Sequence, residues 1–155
     1  VLTARKASFW RSRYEVLADG RVAAVWDGAF WRSGGRFSLD GRDYEVRGNV
    51  WGTRFTLTDA TDGSGADVAL ATAERVGRRR WTVEAGGRTY RFRRASMWRD
   101  VQELYDDSGA VGTVRRVSMW RGDVAADLPG LPPAVRMFVL GVVITMWEAQ
   151  AASGA

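Results

Sequence analysis

The sequence predicts a mainly β protein: a closed antiparallel barrel of about twelve strands with a central hydrophobic C-terminal α-helix. Three observations carry that reading. Short runs of alternating character, from Phe9 to about Asp127, are cut by turn dipeptides at intervals of roughly 8–12 residues. A strand-turn-strand pattern recurs along the chain. The stretch near the C-terminus is apolar on all sides and begins after a cluster of prolines.

The hairpins come first. Asp19-Gly20, Asp40-Gly41 and Gly86-Gly87 supply the pairs of positive φ angles that two-residue hairpin turns require. A turn at Asp40-Gly41 pairs Leu39 with Arg42 and therefore Phe37 with Tyr44, an aromatic pair on one face. A turn at Gly86-Gly87 pairs Thr89 with Glu84, Arg91 with Thr82 and Arg93 with Arg80. Trp81, Val83, Tyr90 and Phe92 then share the opposite face, so this hairpin has one apolar side and one charged side.

The pattern Trp10…Leu17-x-Asp19-Gly20-x-Val22 recurs as Trp51…Leu57-x-Asp59 with Gly65 and Val68, and again as Trp98…Leu104-x-Asp106 with Gly109 and Val111. The connectors recur as well: Phe37-x-Leu39-Asp40-Gly41-Arg42-x-Tyr44 resembles Trp81-x-Val83 with Gly86-Gly87-Arg88-x-Tyr90. Each unit reads as about four strands, which gives about twelve in all. Convergent hairpin chemistry is the competing account of this likeness. A sheet of that size curls, and closure removes both of its exposed edges. The interior of such a barrel is too wide for strand side chains alone to fill.

The C-terminal segment supplies the filling. Pro129-Gly-Leu-Pro132-Pro133 ends the strand pattern, and Pro133 suits the first turn of a helix, where its missing N–H costs nothing. The run from Ala134 to Glu148 that follows has no polar face, so protein or lipid must bury it. From Met137 to Trp147 the run covers about 16 Å as a helix, short of the roughly 30 Å of a bilayer core. Arg136 and Glu148 at its two ends fit the mouths of a protein cavity. A plug threading the barrel is therefore expected, with a membrane anchor and an extra strand as the alternatives. The chain of 155 residues fits one domain, 1–155, with the barrel over 9–127 and the buried helix over 133–149.

The Leu-x-Asp…Gly-x-Val units, the Gly-Arg-x-Tyr hairpins and Leu131-Pro132-Pro133 leading into an apolar final helix together resemble the tubby C-terminal-like superfamily. Within it the chain is most similar to the LURP-one-related and phospholipid scramblase-like branch, as a bacterial member. The resemblance runs from about Phe9 to Gln150. It implies a twelve-stranded barrel around a central helix from Pro133 to Ala149, in a superfamily many of whose bacterial members have no assigned activity. It also implies a link to membrane lipids, since tubby proteins bind phosphoinositide head groups through basic residues on the barrel exterior. Several features depart from the pattern: the chain is shorter than a tubby domain and has arginines where a lysine-rich lipid site is expected. It also lacks a palmitoylatable cysteine cluster and a proline-rich N-terminal extension, which leaves calcium dependence without support.

Composition removes much chemistry. There is no cysteine and no histidine, so disulfides, thiolate or imidazole ligands, and histidine general bases are excluded. No cofactor, metal or catalytic residue is expected. Lys6 is the only lysine among 23 basic residues, so 22 are arginine, and the formal net charge is +5. Arginine favours planar anions such as phosphate and carboxylate, while codon bias in a G- and C-rich genome explains the same excess without a function. The charged opening residues do not form a secretory signal, and the absence of an initiator Met suggests a start inside a longer protein.

The basic residues cluster. Between Arg75 and Arg94 there are eight arginines and one carboxylate, Glu84, so these residues carry +7 against +5 for the whole chain. The hairpin register places Arg78, Arg80, Arg91 and Arg93 on one outer face, with Arg80 opposite Arg93. Like charges across strands destabilise, and a bridging anion relieves them. These four are the candidate anion- or lipid-binding residues. The bland reading is a solvated face paired with acids from neighbouring strands.

Arg-Trp pairs (Trp31-Arg32, Arg80-Trp81, Trp98-Arg99, Trp120-Arg121) fit base stacking or a membrane interface, although core and rim packing accounts for their recurrence. The aspartates sit mostly in turns (Asp19, Asp40, Asp59, Asp62, Asp106, Asp107), where they serve backbone geometry. The loop around Asp59, Asp62, Gly63 and Gly65 lacks the spacing and closing glutamate of a calcium site.

The expected function is thus non-enzymatic binding of acidic phospholipid or another polyanion at a membrane surface. The expected setting is cytoplasmic and peripheral at the inner membrane face, not integral to the membrane. A soluble protein-interaction scaffold and a nucleic-acid-binding protein using the same basic face are the alternatives.

Overall fold

Every strand in a sheet of hairpins finds its neighbour locally except the two outermost, and these decide whether the sheet stays open. The computed structural model describes residues 1–8, 11–28, 33–61, 63, 68–95, 100–117 and 122–154. Among them the strands are β1 (Leu2–Lys6), β2 (Arg13–Ala18), β3 (Arg21–Gly28), β4 (Gly34–Leu39), β5 (Arg42–Gly48), β6 (Phe55–Asp59), β7 (Ala71–Glu74), β8 (Arg80–Ala85), β9 (Arg88–Arg94), β10 (Val101–Asp106), β11 (Gly109–Arg116) and β12 (Val124–Asp127). One helix, α1 (Pro133–Ser153), follows. Each strand runs antiparallel to the next, and β1 pairs with β12 through Leu2↔Ala126, Thr3↔Ala125 and Ala4↔Val124, which closes the barrel.

The closing strand β1 precedes Phe9, where the strand signals in the sequence begin. Leu-Thr-Ala-Arg-Lys is short, ends in two charges and has no turn dipeptide after it, so local pattern gives it no mark. Its place is set by the partner strands on both sides.

The three expected turns are present. Asp19 and Gly20, Asp40 and Gly41, and Gly86 and Gly87 all have positive φ, between 51° and 79°. The registers follow: Phe37↔Tyr44, Leu39↔Arg42, Glu84↔Thr89, Thr82↔Arg91 and Arg80↔Arg93. Phe37 and Tyr44 stack at 5.0 Å between ring centroids, and Trp81 and Phe92 stack at 4.5 Å. The hairpins also repeat in size. β2 and β3 have 6 and 8 residues, as do β10 and β11, and each pair carries one register shift, after Val16 and after Leu104. β4 and β5 have 6 and 7 residues, as do β8 and β9.

One seam is thin. β3 and β4 pair only at Asp27↔Arg36 and Gly28↔Gly35. Beyond these a cleft of about 620 Å³ opens between β3, β4 and β5, floored by Ala24, Phe37 and Tyr44.

Helix α1 fills the lumen. Its residues from Met137 to Ile144 are buried without interruption, in one core with Val16, Trp26, Phe55, Trp81, Phe92 and Val114 from the barrel wall. At the entry, Pro133 occupies the first turn and Arg136 Nε donates to the Leu131 carbonyl at 2.8 Å. At the exit, Ser12 Oγ donates to Glu148 Oε1 at 2.6 Å, and the Arg116 guanidinium lies 5.1 Å from the Trp147 ring. Arg136 and Glu148 thus mark the two mouths.

The helix is longer than the apolar run. Its 21 residues span about 32 Å and satisfy the length and composition of a membrane crossing. Length therefore does not separate plug from anchor. The barrel wall covers the apolar middle, and that burial does; the last residues, from Ala149 onward, project from the exit in polar and small side chains that the apolar count leaves out.

Candidate anion-binding site

The β8–β9 hairpin presents its charged side outward, as its turn dictates. Trp81 and Phe92 fill the barrel side, while Arg80 and Arg93 oppose each other on the other side. Trp81 is anchored further by its Nε1–H, which donates to Gln102 Oε1 on β10 at 2.9 Å. Gln102 is 4% exposed, and this bond satisfies it inside the core.

The four candidate arginines divide into two groups. Arg91 and Arg93 turn toward β10: Arg91 meets Asp107 at 3.0 Å and Arg93 meets Glu103 at 3.7 Å. Both guanidinium groups stand over the Tyr105 ring, at 5.0 and 4.5 Å from its centroid. The register Arg93↔Glu103 and Arg91↔Tyr105 forces these partners together. Arg80, at the start of β8, has no ion pair among the described residues. Arg78 lies before β8, in the connector 75–79, where its N–H donates to the Arg75 carbonyl at 3.1 Å. It is therefore beside the ladder and outside it. The acids of β10 and of the turn after it supply the partners that the sequence leaves unplaced.

The structure also brings together residues that are far apart in sequence. Val76 N–H donates to the Thr53 carbonyl at 2.9 Å, Arg54 Nε lies 3.1 Å from Glu74 Oε1, and Arg94 N–H donates to the Arg79 carbonyl at 2.8 Å. The connector 49–54 is thereby fixed beside the arginines of 75–79. Arg75 itself holds a φ of 62°, which turns the chain sharply at the end of β7. Among the described residues Arg75, Arg78 and Arg79 are exposed and have no carboxylate partner. In the connector 49–54, Val50 is 93% and Trp51 83% exposed. Packing therefore does not account for Trp51, whereas Trp26, Trp81 and Trp147 are buried. Trp31, Trp98 and Trp120, with Arg32, Arg99 and Arg121, lie outside the described residues.

No protein-family model, curated protein or solved structure matches the chain. The architecture, a closed twelve-stranded antiparallel barrel with a C-terminal helix, has the shape of the tubby C-terminal-like fold that the sequence resembles.

Asp59 and Asp106 serve the turns that follow them. Asp59 accepts from the Thr61 hydroxyl, from the Thr61 N–H at 2.9 Å and from Arg42 Nε at 2.7 Å, and these bonds hold its carboxyl down at a pKa of about 2. Asp106 accepts from the Ser108 hydroxyl and N–H, which lowers its pKa in the same way. Asp59 is thus engaged in the wall, while Asp62 and Gly65 of the same loop lie outside the described residues. Among the described residues no three Asp or Glu side chains converge as a metal site would need. At the helix exit Tyr14 is pushed up to about 12, first by burial and then by the nearby Glu148 carboxylate.

Proposed function

We propose that this chain is a non-enzymatic barrel of the tubby C-terminal-like superfamily, a bacterial member of its LURP-one-related and scramblase-like branch. It binds acidic membrane phospholipid, or another polyanion presented at a membrane surface, through its basic outer face. Its setting is cytoplasmic, peripheral at the inner membrane face.

One observation carries the reading. Arg80 stands opposite Arg93 across the β8–β9 ladder with no carboxylate of its own among the described residues, and Arg78 and Arg79 continue the positive charge from the end of that ladder. Opposed cations of this kind are relieved by an anion that accepts from several guanidinium groups at once. Arg91 contributes less, because it turns to Asp107, while Arg93 stands between Arg80 and Glu103, which lies 3.7 Å away.

Co-sedimentation with phosphatidylcholine vesicles, with and without phosphatidylserine, at low and high salt tests this. Salt-sensitive binding to the anionic vesicles, weakened by Arg78→Glu with Arg80→Glu, is the expected result. Binding indifferent to lipid charge and to these substitutions removes the proposal.

A further inference from the structure

Up-and-down connectivity sorts the connectors between two rims. Those after β1, β3, β5, β7, β9 and β11 join strands at the rim where α1 ends, and those after the other strands lie at the rim where it begins. By sequence, the segments 7–12, 29–33, 49–54, 75–79, 95–100 and 117–123 of the first set contain eight arginines, two aspartates and five of the eight tryptophans. The segments 19–20, 40–41, 60–70, 86–87, 107–108 and 128–132 of the second contain five aspartates, no basic residue and no tryptophan. By sequence, the two sets of connectors thus differ in charge and in tryptophan content.

The described part of the first rim shows how this charge is combined with apolar surface. Asn49 Oδ1 accepts from the N–H groups of Thr53 and Arg54 at 2.9 and 3.1 Å, and Gly52 turns at a φ of 66°. This bracing leaves Val50 and Trp51 at the outer tip, pointing away from the core. The Val76 N–H bond to the Thr53 carbonyl sets this connector beside 75–79, which carries Arg75, Arg78 and Arg79, while Arg54 pairs with Glu74. An exposed apolar pair on a connector beside a basic one is a poor surface for water alone. It suits the boundary of an anionic bilayer, where tryptophan settles at headgroup depth and arginine meets lipid phosphate.

We propose that this rim is the membrane-docking face, with Val50 and Trp51 entering the interfacial layer and Arg75, Arg78 and Arg79 holding anionic headgroups. The aspartate-bearing rim then faces away, so the barrel axis stands across the membrane plane and the charge polarity orients the approach. This rests on the acidic-lipid reading above and adds the face, the anchor and the orientation. Apolar insertion and basic charge each give only weak membrane binding, so losing either is expected to release the protein.

The experiment is flotation of the full chain with vesicles of phosphatidylcholine, alone or mixed with phosphatidylserine, read together with tryptophan emission and with competition by a single-stranded oligonucleotide. Val50→Ser with Trp51→Ala is expected to weaken binding to the mixed vesicles about tenfold and to abolish the blue shift of emission that wild type shows on them. Both positions are exposed, so the fold is expected to survive, which near-ultraviolet circular dichroism checks. Arg21→Gln with Arg88→Gln, exposed at the opposite rim beside the turns 19–20 and 86–87, is expected to leave binding within about twofold, since charges that far from the docked face are screened. Undiminished binding of the Val50→Ser, Trp51→Ala protein overturns the docking face while leaving lipid binding intact. Failure of wild type to bind either vesicle overturns the lipid reading itself, and tighter binding to the oligonucleotide than to the vesicles assigns the rim to nucleic acid instead.

Discussion

The indole of Trp26 occupies the space that a side chain on Gly141 would need: a Cβ built there stands 2.4 Å from Cζ3 and 2.6 Å from Cη2. On β4, a Cβ on Gly35 would come within 2.8 Å of Cζ2 of the same ring. Helix and wall therefore meet across a tryptophan that neither glycine can crowd. This pairing explains why an otherwise apolar helix carries a glycine in the middle of its buried run.

Gly141→Ala is expected to destabilise the protein by about 1–3 kcal/mol, because overpacking a rigid ring outweighs the gain in helix propensity. On propensity alone the same change would stabilise a helix by roughly 1 kcal/mol. The sign of the change, read from denaturant unfolding, thus distinguishes a helix packed inside the barrel from one lying elsewhere. Stabilisation would mean that Trp26 does not face Gly141.

The bond between Trp81 and Gln102 makes a second stability test. Gln102→Ala leaves the Trp81 Nε1–H without its acceptor inside the core and is expected to cost about 1–3 kcal/mol. Trp81→Phe combined with Gln102→Met removes donor and acceptor together, so the pair is expected to cost less than the sum of the singles. A double-mutant cycle in denaturant measures the coupling, and strict additivity would dissolve the claimed bond.

Much of this architecture was legible because two-residue turns set register. Once Asp40-Gly41 and Gly86-Gly87 occupy positive φ, the pairings Phe37↔Tyr44 and Arg80↔Arg93 follow by counting. The plug was legible because a helix with no polar face must be enclosed. What counting misses is set by partners distant in sequence. β1 exists as a strand because β2 and β12 flank it, and Arg91 and Arg93 lose their freedom to acids on or after β10. The exposure of Trp51 likewise belongs to the turn that Asn49 and Gly52 brace, and a tryptophan directly before a glycine in a connector was the signal that could have found it.

The acid limb of stability has a local source. Asp59 has its folded pKa lowered from 3.8 to about 2, chiefly by the Thr61 hydroxyl, then by the Thr61 N–H and Arg42. A group with a depressed folded pKa stabilises the fold above its unfolded value and loses that contribution as pH falls through the folded one. Thr61→Val, which removes the hydroxyl, is expected to raise the Asp59 midpoint in a carboxylate NMR titration and to flatten the stability loss between about pH 4 and pH 2. An unmoved midpoint would show that the hydroxyl does not hold this carboxylate.

Arg80 and Arg93 finally allow binding and stability to be moved in opposite directions. Directly opposed like charges cost a few tenths of a kcal/mol to about 1 kcal/mol, and an opposite-charge pair at the same place regains a similar amount. Arg80→Glu is therefore expected to raise the unfolding midpoint slightly in low salt, and the gain should shrink as salt screens both arrangements. The same substitution is expected to weaken salt-sensitive binding to phosphatidylserine vesicles. A residue present only to solubilise the barrel would show the stability gain without the binding loss. If Arg80→Glu destabilises at low salt instead, Arg93 is too fully committed to Glu103 to feel Arg80, and the opposed pair is no longer a reason for an anion to bind there.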